Sequence, residues 1–406
     1  MHILLLSPWF PWPPFDGARI RIFETLRYLA RCHRVTLLAN VSHCEEVQKA
    51  GPLLELCDRV ETTVLSYRLR DVLPRLTQGV CQGFPLAQSA YYDATLAERL
   101  RTITSQEPYD IIQLELSYAA RYAQAISPQC PAKKILAMHN VETLRYSREL
   151  RLSLRPDRRF AMLWDRLFCR AWEARALRQF DGIITVSELE RAWTQRHAPC
   201  APVAVMPNGV DTDYFTSSAP PRTLVSNPSI VFTGAMHYPP NADAVIWFCH
   251  EVLPRLQRHI PQLCFKIVGR DPHPKVVELG QRPGVCVTGE VADVRPYIAE
   301  SLAFVVPLRS GGGTRLKILQ AMAMERPVIS TTLGAEGLEV TSGMNILLAD
   351  NAEQFVSHVL SLVASPTEAD RLAQAGRQLV TAKYDWRMCL GGLESFYHAV
   401  RGSETV

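Results

Sequence analysis

The sequence has no pair of cysteines spaced CxxC; its eleven cysteines are scattered and odd in number. That argues against a disulfide framework and against a structural zinc site, and for a reducing cytoplasm. Long hydrophobic runs are missing too: no apolar stretch approaches the roughly 20 residues that a membrane span needs. The amino-terminal run Ile3 to Leu6 ends at Ser7-Pro8, too short for the apolar region of a secretion signal, and reads as a first buried strand. Asn40-Val41-Ser42, without a secretory signal, is read as a chance glycosylation sequon. Excess charge of one sign is also absent, the net +4 being too mild for a nucleic-acid-binding protein. There is no Walker pattern, GxGxxG, GxSxG or HExxH, which removes the best-known phosphate loops, the hydrolase elbow and the zinc protease site. The Asp211-Thr212-Asp213 triplet falls in a turn and is not read as a metal site, so no metal or cofactor is expected.

What is present is repeated strand–helix alternation over 406 residues, more than one hydrophobic core usually supports. The expectation is an α/β protein of two facing, doubly wound Rossmann-like domains, residues 1–207 and 208–383, with residues 384–406 packing back on the first. In the first half, short apolar runs of the parallel-strand kind end in Asp110 to Leu114, Lys134 to Met138 and Gly182 to Val186. The stiff Pro11 to Arg21 loop places Gly17 at a helix amino end just after strand one, where the ligand crevice of an open sheet lies. His139 likewise follows a strand's carboxyl end; such a residue also serves as a structural cap.

The richest stretch runs from Val305 to Thr331: a buried strand, a glycine turn at Gly311, Gly312 and Gly313, a helix from Thr314 to Met324, and another buried strand. Three glycines let the backbone touch a ligand, and a helix amino end with its free N–H groups suits phosphate. Packing alone can also produce such a turn. Arg309, Arg315 and Lys317 are expected to surround it with positive charge. Helical spacing puts Lys317 and Gln320 on one face and points Arg315 well away from Lys317. The sharp reading is a diphosphate cradle.

Between Arg145 and Phe180, ten arginines face four acids, interleaved with Phe160, Leu163, Trp164, Leu167, Phe168 and Trp172. The spacing of those six suits one helix face turned to the core. The alternative is a basic, aromatic-flanked surface (145–178) resting on anionic lipid at the inner face of the membrane.

Several stretches together resemble the retaining glycosyltransferases of family 4, of GT-B architecture. They are Pro13 to Arg19, His139-Asn140, Asp181 to Ser187, Met206 to Asp211 with Phe215, Phe232 to Met236 with Pro240-Asn241, Gly311 to Ala323, and Pro327 to Thr331. The proline-rich opening looks like the sugar transferases of bacterial exopolysaccharide clusters. The resemblance implies a nucleotide-sugar donor, a glycan or lipid-linked acceptor, no metal, and front-face transfer with retention assisted by the departing diphosphate and by domain closure. It implies His139 near the donor sugar and Gly17 near its phosphate; with the residues of the glycine turn, the expectation is His139, Lys317 and Arg315 as catalytic residues, and Gly17, Gly234, Gly311, Gly312, Gly313, Thr314 and Gln320 as donor-binding residues. The chain departs from the family's Glu-x7-Glu signature, with Gly312 and Gln320 at those positions, and lacks its Arg and Lys after the first strand of the second domain. Arg315 and Lys317 are expected to supply that charge, and Thr288 to Val291 is a candidate base-contacting loop. The lost glutamates leave open a sugar-nucleotide-binding scaffold, and the architecture is shared by sugar-nucleotide epimerases.

Overall fold

The computed structural model describes residues 1–149, 156–216, 228–311 and 315–402, with the side chains of all of these except 148–149 and 156–161. The chain divides into two compact units, Met1–Pro207 with Leu390–Val406, and Asn208–Cys389; residues 384–389 thus group with the second unit.

The first unit is built on seven strands: β1 (His2–Ser7), β2 (Arg34–Val41), β3 (Arg59–Val64), β4 (Ile111–Glu115), β5 (Lys133–Ala137), β6 (Gly182–Thr185) and β7 (Val203–Val205). They lie in the order β3-β2-β1-β4-β5-β6-β7, every pair parallel. The strands alternate between two buried faces, as a period of two requires. Leu4, Leu6, Ile112, Leu114 and Leu136 pack toward Leu96, Leu100 and Ile103 of the Ala94–Gln106 helix. Ile3, Leu5, Ile111 and Ile135 pack toward Ile22, Leu26 and Leu29 of the Gly17–Leu29 helix. Leu393 and Tyr397 of the last helix, Leu393–Arg401, complete that second face. A β-carbon on Gly182 would stand 2.8 Å from Val400 and 3.0 Å from Phe396, so β6 begins on a glycine because the returning helix presses on it.

The second unit repeats the plan with β8 (Ser229–Thr233), β9 (Cys264–Val268), β10 (Val285–Gly289), β11 (Ala303–Val306), β12 (Val328–Ser330) and β13 (Leu347–Leu348). Their order is β10-β9-β8-β11-β12-β13, again all parallel. Phe232, Phe265, Val305 and Ile329 share a core with Phe248 of the Pro239–Glu251 helix and Phe355 of the Ala352–Ala364 helix. In both sheets the strand order reverses beside the first strand, at β1/β4 and β8/β11. Ligands of open α/β sheets bind outside the carboxyl ends at such a reversal.

Three sequence-based expectations are corrected. By its apolar spacing Ala242 to Gln257 reads as one helix, but the structure has two, Pro239–Glu251 and Leu253–His259, because Pro254 has no N–H to continue the ladder. Trp386 to Val400 likewise reads as one terminal helix, but it is interrupted at Gly391-Gly392 into Trp386–Cys389 and Leu393–Arg401. The third correction concerns the Pro156–Leu177 helix. Its buried side carries Asp165, Cys169, Trp172, Glu173, Ala176 and Leu177, while Leu163 and Leu167 are exposed. Phe160 lies outside the residues whose side chains are described. The inward acids have a reason: they cap other helices. Asp165 accepts the N–H of Leu86, at the start of the Leu86–Tyr91 helix, whose own cap, Pro85, offers no side chain. Glu173 accepts the N–H groups of Glu142 and Thr143, at the start of the Glu142–Glu149 helix, and the Thr143 hydroxyl. Free N–H groups at a helix start favour negative charge, which offsets part of the cost of burying it.

Candidate active site

At the reversal in the second sheet, β8 ends at Thr233 and the chain turns through Gly234. Gly234 has φ +153°, a backbone that side chains rarely adopt, and a β-carbon there would stand 2.7 Å from Lys317 Nζ and 2.8 Å from Asn241 Nδ2. Only glycine leaves room for both. Lys317 Nζ donates to Asn241 Oδ1 at 3.0 Å, and Asn241 Nδ2 donates to the Ala235 carbonyl at 2.9 Å. The two bonds fix which way the amide faces. Below the ammonium lies the fully buried Phe232 ring, its centroid 3.9 Å from Nζ. Lys317 is half-buried as a residue, but its tip is crowded by these three neighbours. Burial holds its pKa well below the ordinary ammonium range, and the charge of Arg315 acts in the same direction. The cation therefore has an amide oxygen and an aromatic face as neighbours, which attract it weakly compared with a carboxylate.

The glycine turn leads to the Leu316–Ala323 helix, which starts two residues later than expected. Arg315 is its cap residue with φ −89° and ψ 93°, so helical spacing does not govern its direction. Its guanidinium folds back toward Gly311, where a β-carbon would stand 2.7 Å from Arg315 Nη2; Gly311 has φ +105°. The helical-spacing argument that points Arg315 away from Lys317 does not apply to a residue outside the helix, and its charge still acts on the lysine, lowering its pKa. Gly312, Gly313 and Thr314 lie outside the described residues. Gln320 is half-buried, three positions beyond Lys317 on the same helix. Arg309 does not join the group: it forms a two-pronged pair with Asp243, at 2.7 and 3.1 Å.

At the reversal in the first sheet, β4 ends at Glu115, which is fully buried. His139, two residues past β5 and also buried, places Nε2 at 2.7 Å from Glu115 Oε2. Burial lowers the His139 pKa; Glu115 opposes that, while the charges of Arg21 and Asp16 act in opposite senses. Gly17 is the first residue of its helix and is exposed. That helix start is already capped by Asp16, which accepts the Arg19 N–H at 2.9 Å and pairs with the Arg19 side chain.

Sequence reading missed Glu115, Gln113 and the role of Asn241. Glu115 and Gln113 were visible as polar residues two apart inside an apolar strand, a pattern that places both on one buried face. Asn241 is 76 positions from Lys317, and no local signal joins them. Among the described residues, no group of three or more His, Cys, Asp or Glu side chains gathers as a metal cage, and no helix is long and apolar enough to cross a membrane.

Residues 15–214 match the model for Glycosyltransferase Family 4, and residues 227–365 match that for Glycosyl transferases group 1. An "uncharacterized 44.6 kDa protein in cps region" of Klebsiella pneumoniae is 22% identical, over 94% of this chain and 96% of that one. A GDP-mannose-dependent α-(1-6)-phosphatidylinositol monomannoside mannosyltransferase of Mycobacterium tuberculosis is 25% identical over 53% of this chain, which spans 61% of its length. Among solved structures, sucrose-phosphate synthase from Thermosynechococcus elongatus superposes with a TM-score of 0.73 at 18% identity, covering 99% of both chains. HepE of Anabaena, solved with UDP and glucose, gives 0.70 at 15% identity over 98% of this chain and 100% of that one. Two parallel-sheet α/β units, matched in turn by these two models, identify the chain as a family 4 glycosyltransferase of GT-B fold.

Proposed function

We propose that this chain transfers a hexose from a nucleotide-sugar donor to a glycan or lipid-linked acceptor, with retention at the anomeric carbon and without a metal. The carrying observation is the crowded Lys317 ammonium at the reversal of the second sheet, held by Asn241 over Phe232 beside Gly234. The turn after β8 lacks the Arg and Lys that the family resemblance leads one to expect there; Lys317 reaches it from the Leu316–Ala323 helix, after β11. A diphosphate is the anion whose charge and oxygens suit that position, and its arrival would favour the charged lysine that burial disfavours. Arg315 adds charge. Gly311, Gly312, Gly313 and Thr314 would supply backbone N–H groups, and Gln320 would hydrogen-bond ribose hydroxyls as a neutral amide. In the first unit, His139 would contact the donor sugar and Gly17 the donor phosphate.

In the transfer itself, the bond from the anomeric carbon to the diphosphate oxygen breaks as the acceptor oxygen bonds on the same face. The acceptor's proton passes to a phosphate oxygen of the leaving group. Lys317 and Arg315 stabilise the charge that develops there, an effect strengthened where water is excluded. The mycobacterial mannosyltransferase is GDP-mannose-dependent and HepE was solved with UDP, so both bases belong in the test. A panel of UDP-, GDP- and ADP-sugars should contain one that raises the melting temperature and turns over with a glycan or lipid acceptor. No stabilisation by any member would refute the reading.

Binding without turnover would favour the second reading, a sugar-nucleotide-binding scaffold, for which the loss of both signature glutamates at Gly312 and Gln320 speaks. A lipid-linked acceptor is suggested by exposed Leu163 and Leu167 beside exposed Arg166 and Arg170 on the Pro156–Leu177 helix. Binding to anionic but not neutral vesicles, reduced by Leu167→Ser, would support a peripheral inner-face location.

A further inference from the structure

A chain of four buried side chains runs from the last helix to His139. The Tyr397 hydroxyl donates to Gln113 Oε1 at 2.5 Å; Gln113 Nε2 donates to Glu115 Oε1 at 2.6 Å; Glu115 Oε2 lies 2.7 Å from His139 Nε2. Tyr397, Gln113 and Glu115 are at most 1% exposed, and His139 is 5% exposed. The donor inventory fixes the direction of every bond. An ionised carboxylate accepts only, so both its neighbours must donate. Gln113 then has to turn its NH2 to Glu115 and its carbonyl oxygen to Tyr397, which must donate. At the other end, His139 must carry its proton on Nε2. A neutral imidazole protonated on Nε2 has its acceptor lone pair on Nδ1.

We propose that Tyr397, Gln113 and Glu115 are positioning residues that lock His139 in the Nε2–H tautomer, so that Nδ1 is the atom offered to a donor-sugar hydroxyl. The sugar contact rests on the function proposed above; the tautomer and its cause do not. Among the described residues, the imidazole hydrogen-bonds to Glu115 and to no other side chain. The charged groups that act on it are Glu115 on β4, Arg21 on the Gly17–Leu29 helix and Asp16 at that helix's cap. A narrow crevice beside the relay is lined by Arg21, Thr25, Gln113, Glu115, Leu390 and Leu393, so the returning segment forms part of its wall. The design places a residue from the extreme end of the chain in control of a group 258 positions earlier, counted from Tyr397 to His139.

The test is nitrogen-15 NMR of the full-length protein with labelled histidine, the His139 signal being assigned by its loss in His139→Gln. The expected result is a single Nε2–H tautomer in the ligand-free protein. Glu115→Gln should give mixed tautomers, since an amide can present either oxygen or N–H. It should also move the acid limb of the rate profile to lower pH, because Glu115 raises the His139 pKa, and should lower kcat about tenfold with donor KM nearly constant. Tyr397→Phe keeps the ring packing and should shift the tautomer balance in the same direction, with a two- to fivefold loss of kcat. A wild-type Nδ1–H tautomer, or a nitrogen pattern and acid limb unmoved in both variants, would overturn the inference. A merely structural role would lower the melting temperature and leave both readouts in place. Because the NMR arm needs no donor, the inference can fail while the proposed function stands, and the reverse.

Discussion

Each unit places a titratable nitrogen near the reversal of its parallel sheet, and the two treat it in opposite ways. In the first, the His139 imidazole is held by a carboxylate that is itself held by an amide, which a phenol holds in turn. In the second, the Lys317 ammonium has an amide oxygen and an aromatic ring. Burial lowers the pKa of both groups. The first arrangement orients a group; the second leaves positive charge under-compensated. Local electrostatics, and not the fold they share, separate an orienting role from an anion-attracting one.

The strongest way to break this contrast is Lys317→Met, which keeps length and apolar stem. Donor affinity should fall at least about 100-fold, as for loss of a charge-assisted contact worth roughly 3 kcal/mol. The ligand-free protein should become more stable, by about 2–4 °C if roughly 1 kcal/mol is recovered. The sign follows from linkage: a lysine whose folded pKa is lowered loses stability as pH falls from its unfolded value near 10.4 toward the folded one. The gain should therefore be largest at neutral pH and vanish near pH 10 to 11 in thermal melts. Equal stability with intact donor binding would erase the distinction between the units.

Removing residues after Cys389 should sharpen the contrast by damaging one unit alone. Loss of Leu393 and Tyr397 from the core should destabilise the first unit by several kcal/mol, at about 2–5 for each large buried side chain. The second unit should keep its donor-induced thermal shift in the same sample. His139→Gln tests the other side. Wild-type stability should be full above about pH 6.5 and decline as pH falls through the lowered folded value, because the unfolded chain takes the proton first. The variant should lack that decline in acid-side melts.

The smallest effect is expected at Glu173, whose pKa burial raises from 4.5 to about 7 despite three hydrogen bonds that favour the charge. A raised acid gives stability that is full below pH 4.5 and lost as pH rises through about 7. Glu173→Gln should flatten that slope, measured as the difference between melts at pH 5 and pH 8.

Much of the scaffold could be read from local pattern. The runs Asp110 to Leu114, Lys134 to Met138 and Gly182 to Val186 are β4, β5 and β6 to within a residue at each end, because short apolar runs leave few alternatives. Where inward-facing residues are polar for tertiary reasons, reading fails. Asp165 and Glu173 sit on the core side of their helix to cap helices that begin elsewhere, so of the visible apolar stripe Trp172 is buried, Trp164 and Phe168 are half-buried, and Leu163 and Leu167 face out. The Leu69–Cys81 helix, which carries Pro74 inside it, was not expected at all. The site shows the same limit. Lys317 and Gly234 stood out as residue types, but their contact depends on Asn241 and Phe232, which only the folded sheet brings alongside. His139 was legible; the carboxylate that directs it was not.

The return of Leu390–Val406 to the first unit makes that domain discontinuous along the gene. On the ribosome, its first 207 residues emerge early with one sheet face lacking Leu393 and Tyr397, while the second unit can mature as an insert of uninterrupted sequence. His139 would acquire its full set of partners only once Tyr397 has been made, later than the whole of the second unit.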